Sequence, residues 1–328
     1  MSLRALAFIV TTFAALVATG AAAQGLSAQE RREVVTGAAE LIETRYVYPD
    51  KGREIATALR ADVEAFDQVE PDAFAAALTQ RLRALSNDGH FAVEHRPDAA
   101  GNESREATDG AHLKDSLERW YGVGVNHGFE SVRRLEDGIG YLDLRVFAPV
   151  DMGGDLMAGA MSLLAQSPAL IIDLRHNGGG MDDAVSMLAA YLLDGSAELS
   201  SIYDRPSDQL SRTFTPSWVP GRRFGPDKPV YILTSRRTFS AAEAFAYDMQ
   251  AMKRAVVVGE RSGGGAHPFE YRSITPNFVL SLPEKRSVSP ITGRNWEGQG
   301  VIPDVETSAD RALAEALTLA KTAIAGRD

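Results

Sequence analysis

From about Tyr121 onward, short β-prone apolar runs alternate with amphipathic helical stretches, and this alternation narrows the available folds more than any other feature of the chain. The pattern predicts strands at Ile139–Arg145, Ala169–Leu174, Val230–Thr234 and Ala255–Val258, then an antiparallel pair at Tyr271–Ile274 and Phe278–Leu282. Helices are predicted at Met152–Gln166, Asp182–Leu193, Ser240–Met252 and Ala309–Ala325. Helices interleaved with strands cover the faces of a sheet, so the class is α/β.

The earlier part of the chain has a different period. Val34, Val35, Ala38, Ala39, Leu41 and Ile42 recur at helical spacing, as do Ile55, Leu59, Val63 and Phe66. A third helix is expected from Asp72, with that residue as its cap and Phe74, Ala77, Leu78, Leu82 and Leu85 on its packed face. The expected layout is a helical subdomain at 24–95, a Pro/Gly/Asn/Asp-rich linker at 96–120 and the α/β core at 121–328.

Residues 1–23 read as a secretory signal. Arg4 precedes an apolar run from Ala5 to Val17, and the small residues Ala21, Ala22 and Ala23 follow, with cleavage expected after Ala23. The run is shorter than the ~20 residues of a membrane span, and no later stretch is both long and free of charge, so no span is expected in the mature chain. The expected location is periplasmic or secreted. There is no cysteine, which excludes disulfides, a lipoprotein anchor and thiol catalysis. About 305 residues then remain, enough for a sizeable core without such staples. The net charge of −10 with scattered basic residues argues against a nucleic-acid partner. Nothing in the pattern sets the oligomeric state.

Four stretches carry candidate chemistry. In YILTSRRTFSAAEAFAYDMQ (231–250) a buried-looking strand leads through a polar turn to a helix starting at Ser240. There the helix dipole and the free Ala241 amide favour negative charge on a substrate oxygen. The same Ser-Ala-Ala-Glu is also a capping box with Glu243, and the G-x-S-x-G elbow is absent. In ALIIDLRHNGGG (169–180) a strand ends in Asn177 and three glycines. Gly178 and Gly179 can offer backbone N–H groups to an oxyanion, or simply turn the chain.

A general base must come from one of six histidines. His90, at the end of the turn Ser86-Asn-Asp-Gly-His, is the best placed, with Asp88 able to orient it. His267, after the glycines at 263–265, is the rival. Glu297 in NWEGQGVIPDV (295–305) is a candidate acid for such a histidine and equally an ordinary loop glutamate. The spacings of a metal site are missing, as are nucleotide-binding loops, so neither metal nor cofactor is expected.

Taken in order, GHF (89–91), NHGFESVRRLEDGIGYLDLRVF (126–147), IIDLRHNGGG (171–180), TSRRTFSAAEAFA (234–246), VVGERSGGGA (257–266) and NWEGQGVIPD (295–304) resemble the tail-specific, or C-terminal-processing, serine proteases. The likeness is greatest to the branch that includes the tricorn protease core and the repeats of interphotoreceptor retinoid-binding protein. It implies a ClpP/crotonase-like ββα-spiral core beneath an N-terminal helical bundle, with the site between them. It also implies Ser240 as nucleophile, His90 as general base, Glu297 as distal acid, and the Ala241 amide with the Gly178–Gly179 turn as oxyanion donors.

Three departures are visible. The lysine of the serine–lysine members has no counterpart in Ser262–Ala266. The interval from His90 to Ile139 is about half what a PDZ domain would need. Gly89 stands where the tricorn core has a serine. The expected function is therefore a peptidase acting on polypeptides through an acyl-enzyme on Ser240. Two alternatives use the same scaffold: a non-catalytic protein binding apolar ligands or peptides, and an esterase-like hydrolase.

Overall fold

The computed structural model describes residues 25–97, 114 and 117–326. The predicted signal at 1–23 and most of the predicted linker at 96–120 lie outside the described residues. The first three helices are α1 (Ala28–Arg45), α2 (Pro49–Ala61) and α3 (Pro71–Ser86). Ser27 and Glu30 close a capping box on α1. Helix α3 starts one residue earlier than its sequence suggests. Pro71 takes the first position, where its missing N–H costs nothing, and Asp72 sits in the first turn instead of capping it. The helix stops at Asn87, whose left-handed φ of 58° turns the chain toward His90.

Strand β1 (Ala92–His95) leaves this turn and pairs antiparallel with β10 (Phe278–Pro283), which pairs with β9 (Phe269–Thr275). The three helices cover this small sheet. Their buried faces (Val35, Ile42, Leu59, Phe74, Leu78, Leu82) share one apolar cluster with Phe91, Phe278, Leu280 and Leu282. Strand β1 reads poorly in sequence because Ala-Val-Glu-His buries only Val93 fully.

The main sheet has the order β12-β8-β7-β4-β3-β2. It comprises β2 (Phe129–Arg134), β3 (Gly140–Leu144), β4 (Leu170–Asp173), β7 (Val230–Thr234), β8 (Val256–Gly259) and β12 (Val305–Glu306). Only the β2–β3 pair is antiparallel. Strands β3, β4 and β7 are buried throughout, as expected of a parallel sheet covered on both faces. One face packs on α4 (Val150–Leu164), α5 (Asp182–Leu192) and α6 (Ala241–Ala251). The other packs on α7 (Ala309–Ala325) through Ala312, Ala316 and Ala320, residues small enough for the helix to lie close. A second small sheet joins β5 (Ser201–Asp204), β6 (Gln209–Ser211) and β11 (Lys285–Val288). The fold is thus the expected mixed α/β class, with a largely parallel central sheet.

Candidate active site

Two strand ends build the floor of the site. Strand β7 runs into a tight turn: Thr238 accepts the Ser235 amide (3.0 Å) and donates to the Leu174 carbonyl (2.8 Å), tying this turn to the end of β4. Strand β4 continues into Asn177, whose Nδ2 donates to Leu144 O (3.0 Å) and whose Oδ1 accepts the Gly179 amide (2.8 Å). Its carbonyl accepts the Phe239 amide (3.1 Å). Asn177 is fully buried and fixes the glycine turn beside Ser240.

Ser240 is the N-cap of α6, and its backbone (φ 54°, ψ −121°) lies where non-glycine residues are strained, at a cost of about 1–3 kcal/mol. The G-x-S-x-G signature is missing, yet the sharp strand-to-helix turn it serves is present. The glycine such a turn needs comes from another strand end: a Cβ on Gly179, itself at φ +118°, would stand 2.9 Å from Ser240 Cβ. Glu243 closes half of the capping box on the Ser240 amide (2.9 Å), while the Ser240 hydroxyl faces His90, with Oγ 3.3 Å from Nε2.

His90 is 7% exposed and lies between Phe239 and Phe269, with ring centroids 4.9 and 5.9 Å away. Its Nδ1 is 3.3 Å from Asp88 Oδ1, which also accepts the His90 amide at 3.0 Å. The other Asp88 oxygen accepts from His267 Nδ1 (2.7 Å) and the Tyr46 hydroxyl (3.4 Å). Burial pushes the Asp88 carboxyl upward, but hydrogen bonds to His267 and His90 outweigh it and hold the group well below the usual carboxylate range.

Glu297 joins the same cluster, with a carboxyl oxygen within 4.8 Å of both His90 and Asp88. Its Oε2 accepts the Ala266 amide (2.6 Å) and lies 3.3 Å from His267 Nδ1. Burial first, and then the Asp88 charge, push its carboxyl up to about 9. The acid hydrogen-bonded to His90 is therefore Asp88, and Glu297 is brought to the cluster beside it. His267, the rival base, lies on the far side of Asp88.

Of the two candidate glycine donors, Gly179 has its amide engaged by Asn177. Gly178 is exposed, and a Cβ there would meet nothing within 4 Å. The Ala241 amide opens α6 at the foot of Ser240. Serine, imidazole and carboxylate are thus hydrogen-bonded in series at a helix N-terminus, an order suited to general-base activation of a hydroxyl.

Of the glycines at 263–265, Gly263 and Gly265 press against Phe239, and Gly264 packs on the backbone at 298–300. A Cβ on Gly265 would stand 2.2 Å from Phe239 Cζ and 2.7 Å from His90 Cε1. Glu243, fully buried, accepts from Ser262 Oγ (2.5 Å) and from the amides of Gly264 (2.6 Å) and Gly265 (2.8 Å). Desolvation raises its carboxyl above the ordinary value despite these donors. In sequence Glu243 is legible only as a cap; in the fold it also anchors the loop covering His90.

Residues 138–307, just over half of the chain, match peptidase family S41, and the chain belongs to that family. A carboxy-terminal-processing protease of Bartonella bacilliformis is 28% identical over 181 residues, covering 52% of this chain and 39% of the relative. Among solved structures, a peptidase described as putative from Parabacteroides merdae superposes with a TM-score of 0.63 at 18% identity, over 90% of this chain and 97% of its own. The tricorn protease superposes with a TM-score of 0.54 at 13% identity, over 91% of this chain and 37% of its own. These two likenesses establish the fold.

Proposed function

We propose that the chain is a serine peptidase of polypeptides with Ser240 as nucleophile and His90 as general base. The observation that carries this reading is the 3.3 Å approach of Ser240 Oγ to His90 Nε2, with Asp88 on the opposite ring nitrogen. Asp88 keeps the proton on Nδ1, leaving the Nε2 lone pair to receive the serine proton. Ser240 Oγ adds to the scissile carbonyl, and the oxyanion forms between the amides of Ala241 and Gly178. His90 then passes its proton to the leaving amine, and water clears the acyl-enzyme by the same path. Glu297, with a carboxyl oxygen within 4.8 Å of both His90 and Asp88, adds a second acid beside the pair without replacing Asp88 on the imidazole. Neither metal nor cofactor enters these steps.

The names of the matched relatives support a polypeptide substrate, and the signal-like segment at 1–23 supports export to the periplasm. Among the described residues no helix is long and apolar enough to cross a membrane. The test is cleavage of an unfolded protein by the purified chain. Wild type is expected to release fragments, and Ser240→Ala to lose the activity by ~10³-fold or more. Equal cleavage by both proteins would refute the assignment.

One observation favours the ligand-binding alternative. A groove of about 840 Å³ between α4, α5 and the segment 214–220 is lined by Val150, Ala158, Met187, Phe214 and Trp218, the last 74% exposed. Apolar binding there would survive Ser240→Ala, whereas peptidase activity would not.

A further inference from the structure

His267 is 1% exposed, and no step of the proposed reaction uses it directly. Its Nδ1 faces two acceptors, Asp88 Oδ2 at 2.7 Å and Glu297 Oε2 at 3.3 Å, so the ring carries its proton on that nitrogen. Its Nε2 is buried without a partner. Tyr48 meets the ring edge-on, with centroids 5.3 Å apart, and Tyr46 lies at 6.5 Å. The bond to Asp88 is the shortest that this carboxylate makes. The contacts with His90 Nδ1 (3.3 Å) and Tyr46 (3.4 Å) are long, and the bond from the His90 amide (3.0 Å) fixes one oxygen only.

A carboxylate held by one oxygen can still swing about its side-chain torsions. Held by both, it has one orientation, and that orientation aims Oδ1 at His90. We propose that His267 is a positioning residue for the reaction: its Nδ1–H clamps Asp88 Oδ2, and Asp88 in turn holds His90 in line with Ser240. This inference rests on the assignment of Ser240 and His90 given above.

The prediction separates the donated hydrogen bond from the bulk of the ring. Asparagine places an amide N–H close to where Nδ1 stands. Glutamine reaches instead toward the position of Nε2, where the wild-type ring bonds nothing. Both are polar and of comparable size. Inactivation by a fluorophosphonate, measured against probe concentration, gives the maximal rate and the half-saturating concentration separately.

His267→Asn is expected to keep the maximal rate within about threefold. His267→Gln is expected to lose roughly tenfold to 100-fold with unchanged half-saturation, the scale at which misplacement of a catalytic group is felt. In an Asp88→Asn background the glutamine replacement is expected to add no further loss, because the clamp has nothing left to hold. Circular dichroism monitors folding. If the glutamine variant does not fold, His267→Asn alone decides, since a ring that merely packs predicts a loss there. Equal rates for wild type, Asn and Gln would overturn the clamp while leaving Ser240 in place. A folded wild type that is not labelled at all would overturn the serine assignment and the clamp together.

Discussion

The backbone of Ser240 is held where few serines go, and it stays there because its surroundings leave no alternative: α6 begins on one side and Gly179 presses from the other. Gly179→Ala is therefore expected to abolish labelling of Ser240, since the new methyl would stand 2.9 Å from Ser240 Cβ. Gly178→Ala, at an open position, is expected to change stability by less than ~0.5 kcal/mol. Thermal unfolding and probe labelling of the two variants check both.

The neighbouring carboxyls are driven in opposite directions: burial first, and then the Asp88 charge, raises Glu297, while hydrogen bonds from His267 and His90 outweigh burial and lower Asp88. The folded chain thus holds a proton on Glu297 that the unfolded chain releases above about 4.5. That contribution to stability is complete below about pH 4.5 and is lost as pH rises through about 9. Glu297→Gln removes the titration, so its stability relative to wild type is expected to grow between about pH 5 and 9, read from denaturant midpoints. A constant difference would contradict the assignment of the proton.

In sequence Ser240 reads equally as a helix cap and His90 as an ordinary turn histidine; only the ordered set of motifs resembling the C-terminal-processing serine proteases singles the two out, and the fold brings them within 3.3 Å. Which acid serves His90 was not legible. Asp88 is two residues away, and Glu297 reaches the cluster only through the fold.

At the scale of elements, most of what alternates was readable. The buried strands β4 and β7 and the helices α5, α6 and α7 fall within a residue or so of their expected places. Strands β2, β5 and β6 were missed for a shared reason: none is buried along its length, and charged or polar residues break the alternation. The start of α6 was readable as a capping box, but the loop that Glu243 holds is about 20 residues further on and leaves no local trace. Glu243→Ala strips a buried acceptor from four donors, those of Ser240, Ser262, Gly264 and Gly265. A loss of about 3–5 kcal/mol is expected. A larger fractional loss of labelling than Tm alone accounts for is also expected, because the same loop backs His90.

Over the whole molecule, the site lies where two apolar clusters meet. Phe91 beside His90 belongs to the cluster of α1–α3 and β10, and Ala241 beside Ser240 belongs to that of the central sheet. The proposed reaction needs both, so whatever holds the layers together holds the triad. Within the helical layer, Glu284 ties α1 to the small sheet: 1% exposed, it accepts from Arg45 on α1 (2.5 Å) and from Arg272 on β9 (2.6 Å). Glu284→Ala leaves two arginines without their carboxylate and is expected to cost about 3 kcal/mol in unfolding free energy. Arg205, just after β5, donates to the carbonyl of Tyr46, 159 residues away at the end of α1, and so joins the second small sheet to the helical layer. Such long-range pairings explain why the helical segment and the α/β segment, each readable in its own period, gave no sign of how they dock.

In the proposed reaction Ser240 is a nucleophile activated by His90. The direct measurement is reaction of the folded chain with a fluorophosphonate, followed by mass spectrometry of its peptides. A single phosphonylated residue, Ser240, is expected, with labelling lost in Ser240→Ala and His90→Ala. A well-folded chain that takes no label, or a label that persists in Ser240→Ala, would contradict that role.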